Sequence, residues 1–85
     1  MRIDFYPYAL VCTDAVDIYD VHFIIIDEHE KTIDCSDQHG FSIANIHYQE
    51  CKEVEILKYD KNERLNGDFE IIVQNGQLIY NKGDD

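Results

Sequence analysis

The stretch FEIIVQNGQLIY, residues 69–80, sets two apolar runs on either side of Gln74-Asn75-Gly76-Gln77. Asn followed by Gly supplies the two positive-φ positions of a type I′ turn, whose twist matches that of paired antiparallel strands. A two-residue loop then predicts Gln74 opposite Gln77, Val73 opposite Leu78, Ile72 opposite Ile79 and Ile71 opposite Tyr80. Both faces of this hairpin are apolar, so one of them is expected to lie under a helix or a second sheet.

Composition extends the β reading to the whole chain. Twelve Ile, five Val, six Tyr, four Phe and two Thr stand against eight Ala, Leu and Met together, a profile that suits pleated, half-buried surfaces. Upstream, EVEILKY (53–59) alternates Val54 and Ile56 with Glu55 and Leu57, the pattern of another strand. YDVHFIII (19–26) sets Tyr19, Val21, Phe23 and Ile25 against Asp20, His22, Ile24 and Ile26. It reads as a strand that begins amphipathic and ends buried on both faces. The polar run DEHEK (27–31) then serves as a hairpin loop into Thr32, Ile33 and Asp34.

In IDFYPYALVC (3–12), Pro7 removes an amide proton, which predicts an edge strand or a bulge. TDAVDIY (13–19) reads as a connecting loop or a single helical turn. Phe41 to Tyr48 fits neither period cleanly. A short helix with Ser42 as its N-cap would align Ile43, Ile46, His47 and Glu50, and a strand from Phe41 to Tyr48 is the alternative.

The expected fold is therefore mainly β or α+β: a small antiparallel sheet or partly open barrel of about five to six strands, with at most one short helix near 42–51. Eighty-five residues leave room for a single compact domain, taken as 1–82, with 83–85 as a frayed tail. The scaling of size with chain length gives a radius of gyration near 12 Å and a diameter of about 30 Å.

Charge narrows the function classes. Eighteen Asp and Glu against seven Lys and Arg give a formal net charge of -11. Direct contact with nucleic acid or an anionic membrane needs cations that this chain lacks. Between residues 3 and 30 there are seven acids and no Lys or Arg. If they share a side of the sheet, that side is a concentrated anionic surface. Duplex DNA about 30 Å long carries about 18 phosphate charges, so imitation of a nucleic-acid field is within a factor of two. The alternative is a solvated face that keeps a small domain soluble.

Other chemistry is thinner. Cys35-x3-His39 and His47-x3-Cys51 contain a sufficient tetrahedral zinc set, although common zinc frameworks hold their cysteines closer together. The opposing reading has buried cysteines and loop histidines. Neither acidic run contains the turn glycine of a calcium loop, the four glycines are scattered rather than gathered into a phosphate loop, and no nucleophile motif stands out. Neither an enzyme nor a cofactor is expected. Three cysteines and the absence of an export signal at the start suggest an intracellular, cytoplasmic protein, in a host cell's cytoplasm if phage-encoded.

The leading expectation is a small acidic protein that inhibits or sequesters a basic, nucleic-acid-binding protein such as a nuclease or defence effector. The expected contact residues are Asp14, Asp17, Asp20, Asp27, Glu28 and Glu30, with Tyr6, Tyr8, Tyr19 and Tyr48 as aromatic anchors. In size and acidity the chain resembles immunity proteins and phage-encoded anti-defence inhibitors, by composition and not by motif. The alternatives are an assembly module acting through strand-edge pairing or homodimerisation and a small zinc-stabilised domain.

Overall fold

The computed structural model describes residues 1–59 and 69–80. They form one antiparallel sheet of seven strands and almost no helix. The strands are β1 (Arg2–Cys12), β2 (Asp17–Asp27), β3 (Thr32–Ser36), β4 (Ser42–His47), β5 (Glu53–Lys58), β6 (Glu70–Gln74) and β7 (Gln77–Leu78). A 3₁₀ turn, η1 (Tyr48–Glu50), joins β4 to β5. The sheet order is β4-β3-β2-β1-β5-β6-β7; β4 and β7 do not pair, so the sheet is not closed into a barrel. No helix among the described residues is long and apolar enough to cross a membrane. The 83–85 tail lies outside the described residues, as does DKNERLNGD (60–68), whose polar composition and Asn66-Gly67 read in the sequence as a connection.

The β6–β7 hairpin forms with the predicted turn and register next to it, but β7 ends at Leu78, so the expected Ile71–Tyr80 pair is not part of the ladder. Asn75 and Gly76 take φ of 54° and 77°, Val73 pairs with Leu78 and Gln74 with Gln77, and the Ile79 N–H donates to the Ile72 carbonyl at 2.8 Å. The middle segment resolves to the strand reading: β4 occupies residues 42–47, and the helix from Ser42 does not form. Asp34 explains part of that choice. Its carboxylate accepts from the Ser42 hydroxyl at 2.6 Å and the Asn45 amide at 3.2 Å, which fastens β4 to β3.

β1 departs from one of its two expectations. It is no edge strand, since it lies between β2 and β5. It is bulged, because Asp4 pairs with Phe23 and the next partners are Ala9 and Val21. Five steps on β1 thus oppose two on β2, and the excess residues carry Pro7 where no ladder hydrogen bond is required of it. On β2, Asp20 takes φ 57°. The buried residues are Val21, Ile24 and Ile26, so the two-residue alternation slips between Val21 and Ile24. Ile25 remains 42 % exposed, so this strand does not end buried on both faces.

These irregularities divide the long β1–β2 hairpin. Its Arg2–Asp4 and Phe23–Asp27 end carries β3 and β4, while its Ala9–Cys12 end carries β5, β6 and β7. Side chains from both sides meet in one core: Phe5, Ile24, Ile33 and Ile46 from the first, Val11, Val54, Ile56 and Ile72 from the second. Burial of an aliphatic side chain of this size contributes about 1.5–3 kcal/mol, so this shared apolar interior is what bends the sheet over itself. η1 packs against both β3 and β7 and spans the fold. The radius of gyration is 12.0 Å, with extents of 34 × 27 × 27 Å.

Candidate protein interface

The acids are placed by local turn chemistry. In the turn after β1, the Thr13 hydroxyl accepts from the Ala15 and Val16 N–H groups at 3.1 and 3.0 Å, a side-chain mimic of a backbone turn. Asp14 is thereby presented to the start of β5, where it accepts from the backbone N–H of Lys52 at 2.7 Å and Glu53 at 3.0 Å. Those two donors hold its carboxyl below the ordinary range. Asp14 is thus a strap between segments, a role that its sequence neighbourhood does not announce. Asp17 and Asp20 lie exposed on β2.

The second acidic group sits in the β2–β3 loop. The Asp27 carboxylate accepts from the Glu30 and His29 N–H groups at 3.0 and 2.9 Å and is lowered by them, Glu30 first. Glu28 and Glu30 are exposed beside it. Asp17 and Asp27 are the two ends of β2, ten residue steps apart and so at most about 33 Å at about 3.3 Å per step, with Asp20 seven steps from Asp27. They are two acidic ends and not one patch, because a strand between two turns necessarily carries its turns to opposite ends.

The surface is poorly neutralised from within. Arg2 pairs with Asp4 at 3.0 Å and lies 3.8 Å over the Phe23 ring. This is the one Lys or Arg ion pair among the described residues. No acid among them is buried; Asp34, Asp37, Glu53 and Glu55 are half-buried and the rest exposed.

The four tyrosines separate. Tyr6, beside the bulge, is 97 % exposed and Tyr19 is 58 % exposed. Tyr8 is half-buried, its ring 5.6 Å from His22 and 4.8 Å from Tyr59. Tyr48 is a correction: at 2 % exposure it belongs to the core cluster and cannot anchor a partner. η1 turns its ring inward, and burial raises its hydroxyl pKa.

The zinc set is not assembled. Cys35 pairs with Ala44 and faces the core, whereas His47 pairs with Thr32 one step out of phase and projects from the other face. Among the described residues no three His, Cys, Asp or Glu side chains gather around a metal position. Burial pushes the Cys35 thiol up to about 12. Burial and the hydrogen bond to Asp17 push Cys12 to about 11.

Two clefts follow the first half of β2. One, of about 480 Å³, lies between the β1 bulge at Pro7 and Tyr8, residues Asp20 and His22, and the β3–β4 turn at 37–39. Asp37 shapes that turn by accepting from the Phe41 and His39 N–H groups, both at 2.9 Å, and these donors lower it, Phe41 first. The other cleft, of about 350 Å³, sets Val16 and Ile18 against residues 44–47 of β4, with Asp14 and Glu50 at its rim. Neither cleft is lined by Lys or Arg.

Sequence reading missed the apolar residues near this seam. Phe41, Val16 and Ile43 are 69, 55 and 44 % exposed. A usable signal was present in SIANIH (42–47), a strand without proline, lysine or any carboxylate. Comparison with protein-family models, curated proteins and solved structures finds no match to this chain.

Proposed function

We propose that this protein is an acidic binding protein that inhibits or sequesters a basic, nucleic-acid-binding protein partner, as an immunity or anti-defence inhibitor does. The observation that carries the reading is the set of exposed carboxylates on a chain of net charge -11, with a single Lys or Arg ion pair, Arg2 with Asp4, among the described residues. Such a surface stores electrostatic free energy that a cationic partner relieves, and its field accelerates encounter.

The spacing of the acids supports the same reading. Acids at both ends of β2, on a body 34 Å long, about one helical turn of duplex, would meet a groove built for DNA or RNA with charge at either end of that strand. The partner's binding surface is then blocked by occupation, without chemistry and without a cofactor. The protein acts in the cytoplasm, where its partner meets nucleic acid.

Affinity capture from the native cell at two salt concentrations tests this. Between about 0.1 M and 1 M salt the screening length falls from about 10 Å to about 3 Å. A captured nuclease or nucleic-acid-binding protein that is inhibited by the purified chain, and released as salt rises, is the expected result. Capture of only neutral or acidic proteins, or salt-independent binding without inhibition, would overturn it. A second reading, assembly through strand pairing or a homodimer, is favoured by one observation: β4 is a terminal strand with no charged gatekeeper.

A further inference from the structure

We propose that the outer edge of β4 is the docking strand of this protein, and that its occupant is an extended, Lys- or Arg-bearing segment of the basic partner, added as a further antiparallel or parallel strand. This rests on the basic-partner reading above and says where and how such a partner is held.

The backbone supplies the first argument. The Tyr48 N–H donates to the Lys31 carbonyl at 3.2 Å, so Lys31 and Tyr48 form a hydrogen-bonded pair. Antiparallel ladders alternate hydrogen-bonded and non-hydrogen-bonded pairs. Along the register, Ile33 with Ile46 and Cys35 with Ala44 then bond across the ladder, whereas Asp34 with Asn45 and Thr32 with His47 do not. The N–H and C=O of Asn45 and His47 therefore point away from β3 toward the open side. Among the described residues β4 pairs with β3 alone; the His47 carbonyl, as cap of η1, is taken up by that turn, so the groups left to a further strand are the Asn45 N–H and C=O and the His47 N–H.

Edge strands are ordinarily guarded by lysine, proline, inward-pointing charge, shortness or a bulge. β7, at the other end of the sheet, is guarded by being two residues long. β4 has one device, the register shift near Ile43, which leaves Ala44–His47 regular. That regular stretch is the one that borders the groove with Val16 and Ile18. Strand addition takes affinity from main-chain hydrogen bonds and specificity from alternate side chains in pockets, and here an unpaired edge lies beside an apolar groove.

Charge selects the occupant. Asp14 and Glu50 stand at the rim of that groove and Asp20 and Asp37 line the next cleft along the seam, with no Lys or Arg in either. A second copy of this chain would pair the same edges but would bring two bodies of -11 each into contact. An extended segment alternating aliphatic and cationic residues satisfies edge, groove and rim together.

The probe is a capped peptide of about six residues, a common strand length, alternating Val or Thr with Lys, and bound to the intact protein at low salt. Two controls accompany it: Glu in place of Lys, and backbone N-methylation of alternate residues, which keeps the charge but removes the ladder donors. The expected result is binding of the Lys peptide, about tenfold or greater weakening by either control, and slowed amide exchange at Asn45 and His47. A protein variant His47→Pro removes one outward donor without touching a β3 bond and should weaken the peptide while retaining its melting temperature; should it fail to fold, the N-methyl control stands alone. Equal binding of the N-methylated peptide, or exchange protection confined to the Asp27–Glu30 end, would overturn strand addition and leave the basic-partner reading intact. A concentration-dependent dimer that protects the same β4 amides without peptide would overturn it in favour of a second copy.

Discussion

Replacing Gly76 with alanine tests how η1 is held across the fold. Gly76 sits at φ +77°, and a Cβ built there would lie 2.6 Å from the backbone carbonyl oxygen of Gln49. Two costs follow. The left-handed conformation is worth about 1–2 kcal/mol against an L-residue with a side chain, and overpacking against a backbone atom adds about 1–3 kcal/mol, because no side-chain rotamer can yield. Gly40 provides the control, at φ +85° with nothing within 4 Å of the same added carbon. Gly40→Ala should therefore cost only the conformational part, about 1–2 kcal/mol. Urea unfolding should place Gly76→Ala about 1–3 kcal/mol below Gly40→Ala with an unchanged m-value. In a domain of this size each kcal/mol lowers the melting temperature by about 4–8 °C. Equal losses in the two variants would refute the claim that the β6–β7 turn and η1 rest against each other.

Other outcomes are equally specific. Asp17→Asn combined with Asp20→Asn should slow association with the captured partner by about three- to tenfold at low salt with little change in melting temperature. Asp14→Asn should instead lower the melting temperature by weakening its hold on Lys52 and Glu53, and stopped-flow and thermal scans separate the two. The Asp14, Asp27 and Asp37 carboxyls are depressed below their ordinary values. Their contribution to stability is therefore complete above the unfolded value of about 3.9 and is lost as pH falls through the folded values; a calorimetric series from pH 6 downward in which the triple Asn variant loses as much as the parent would contradict this. Thiol labelling near pH 8 should be slow for Cys12 and slowest for Cys35, raised to about 11 and 12, and denaturant should release Cys35; rapid native labelling of Cys35 would place it outside the core.

What the sequence made legible were features with local causes. Asn75-Gly76 forces its hairpin because two adjacent positive-φ positions admit little else. Pro7 correctly signalled a bulge, but the edge reading failed because a bulge alone relieves the missing amide and leaves the strand free to be central. The slip between Val21 and Ile24 was invisible, since a strict two-residue period carries no mark of where its partner strand breaks register. β4 was ambiguous because its helix-compatible spacing competes with a tether from Asp34, eight residues upstream of Ser42. Tyr48 looked like an interface tyrosine among charges, and only the inward turn of η1 shows it as core. The acidic positions were plain in the sequence, whereas their division between two ends depends on the direction of β2.

The divided β1–β2 hairpin has a consequence for how this chain can come apart. Each of its two strands is a structural member on both sides of the bend, so neither side has a boundary at which it could detach and keep its own sheet. A small sheet built from two adjoining hairpins could open in stages; here, separating β1 from β2 leaves β3 and β4 on β2 and β5 on β1, but it exposes at once the core that Phe5, Ile24 and Ile33 share with Val11, Val54 and Ile56. The slowest-exchanging amides should therefore be shared between β2 and β5, and disappear in one cooperative event. The exposed acids and the open edge of β4 are free to vary because the interior has a single all-or-none joint.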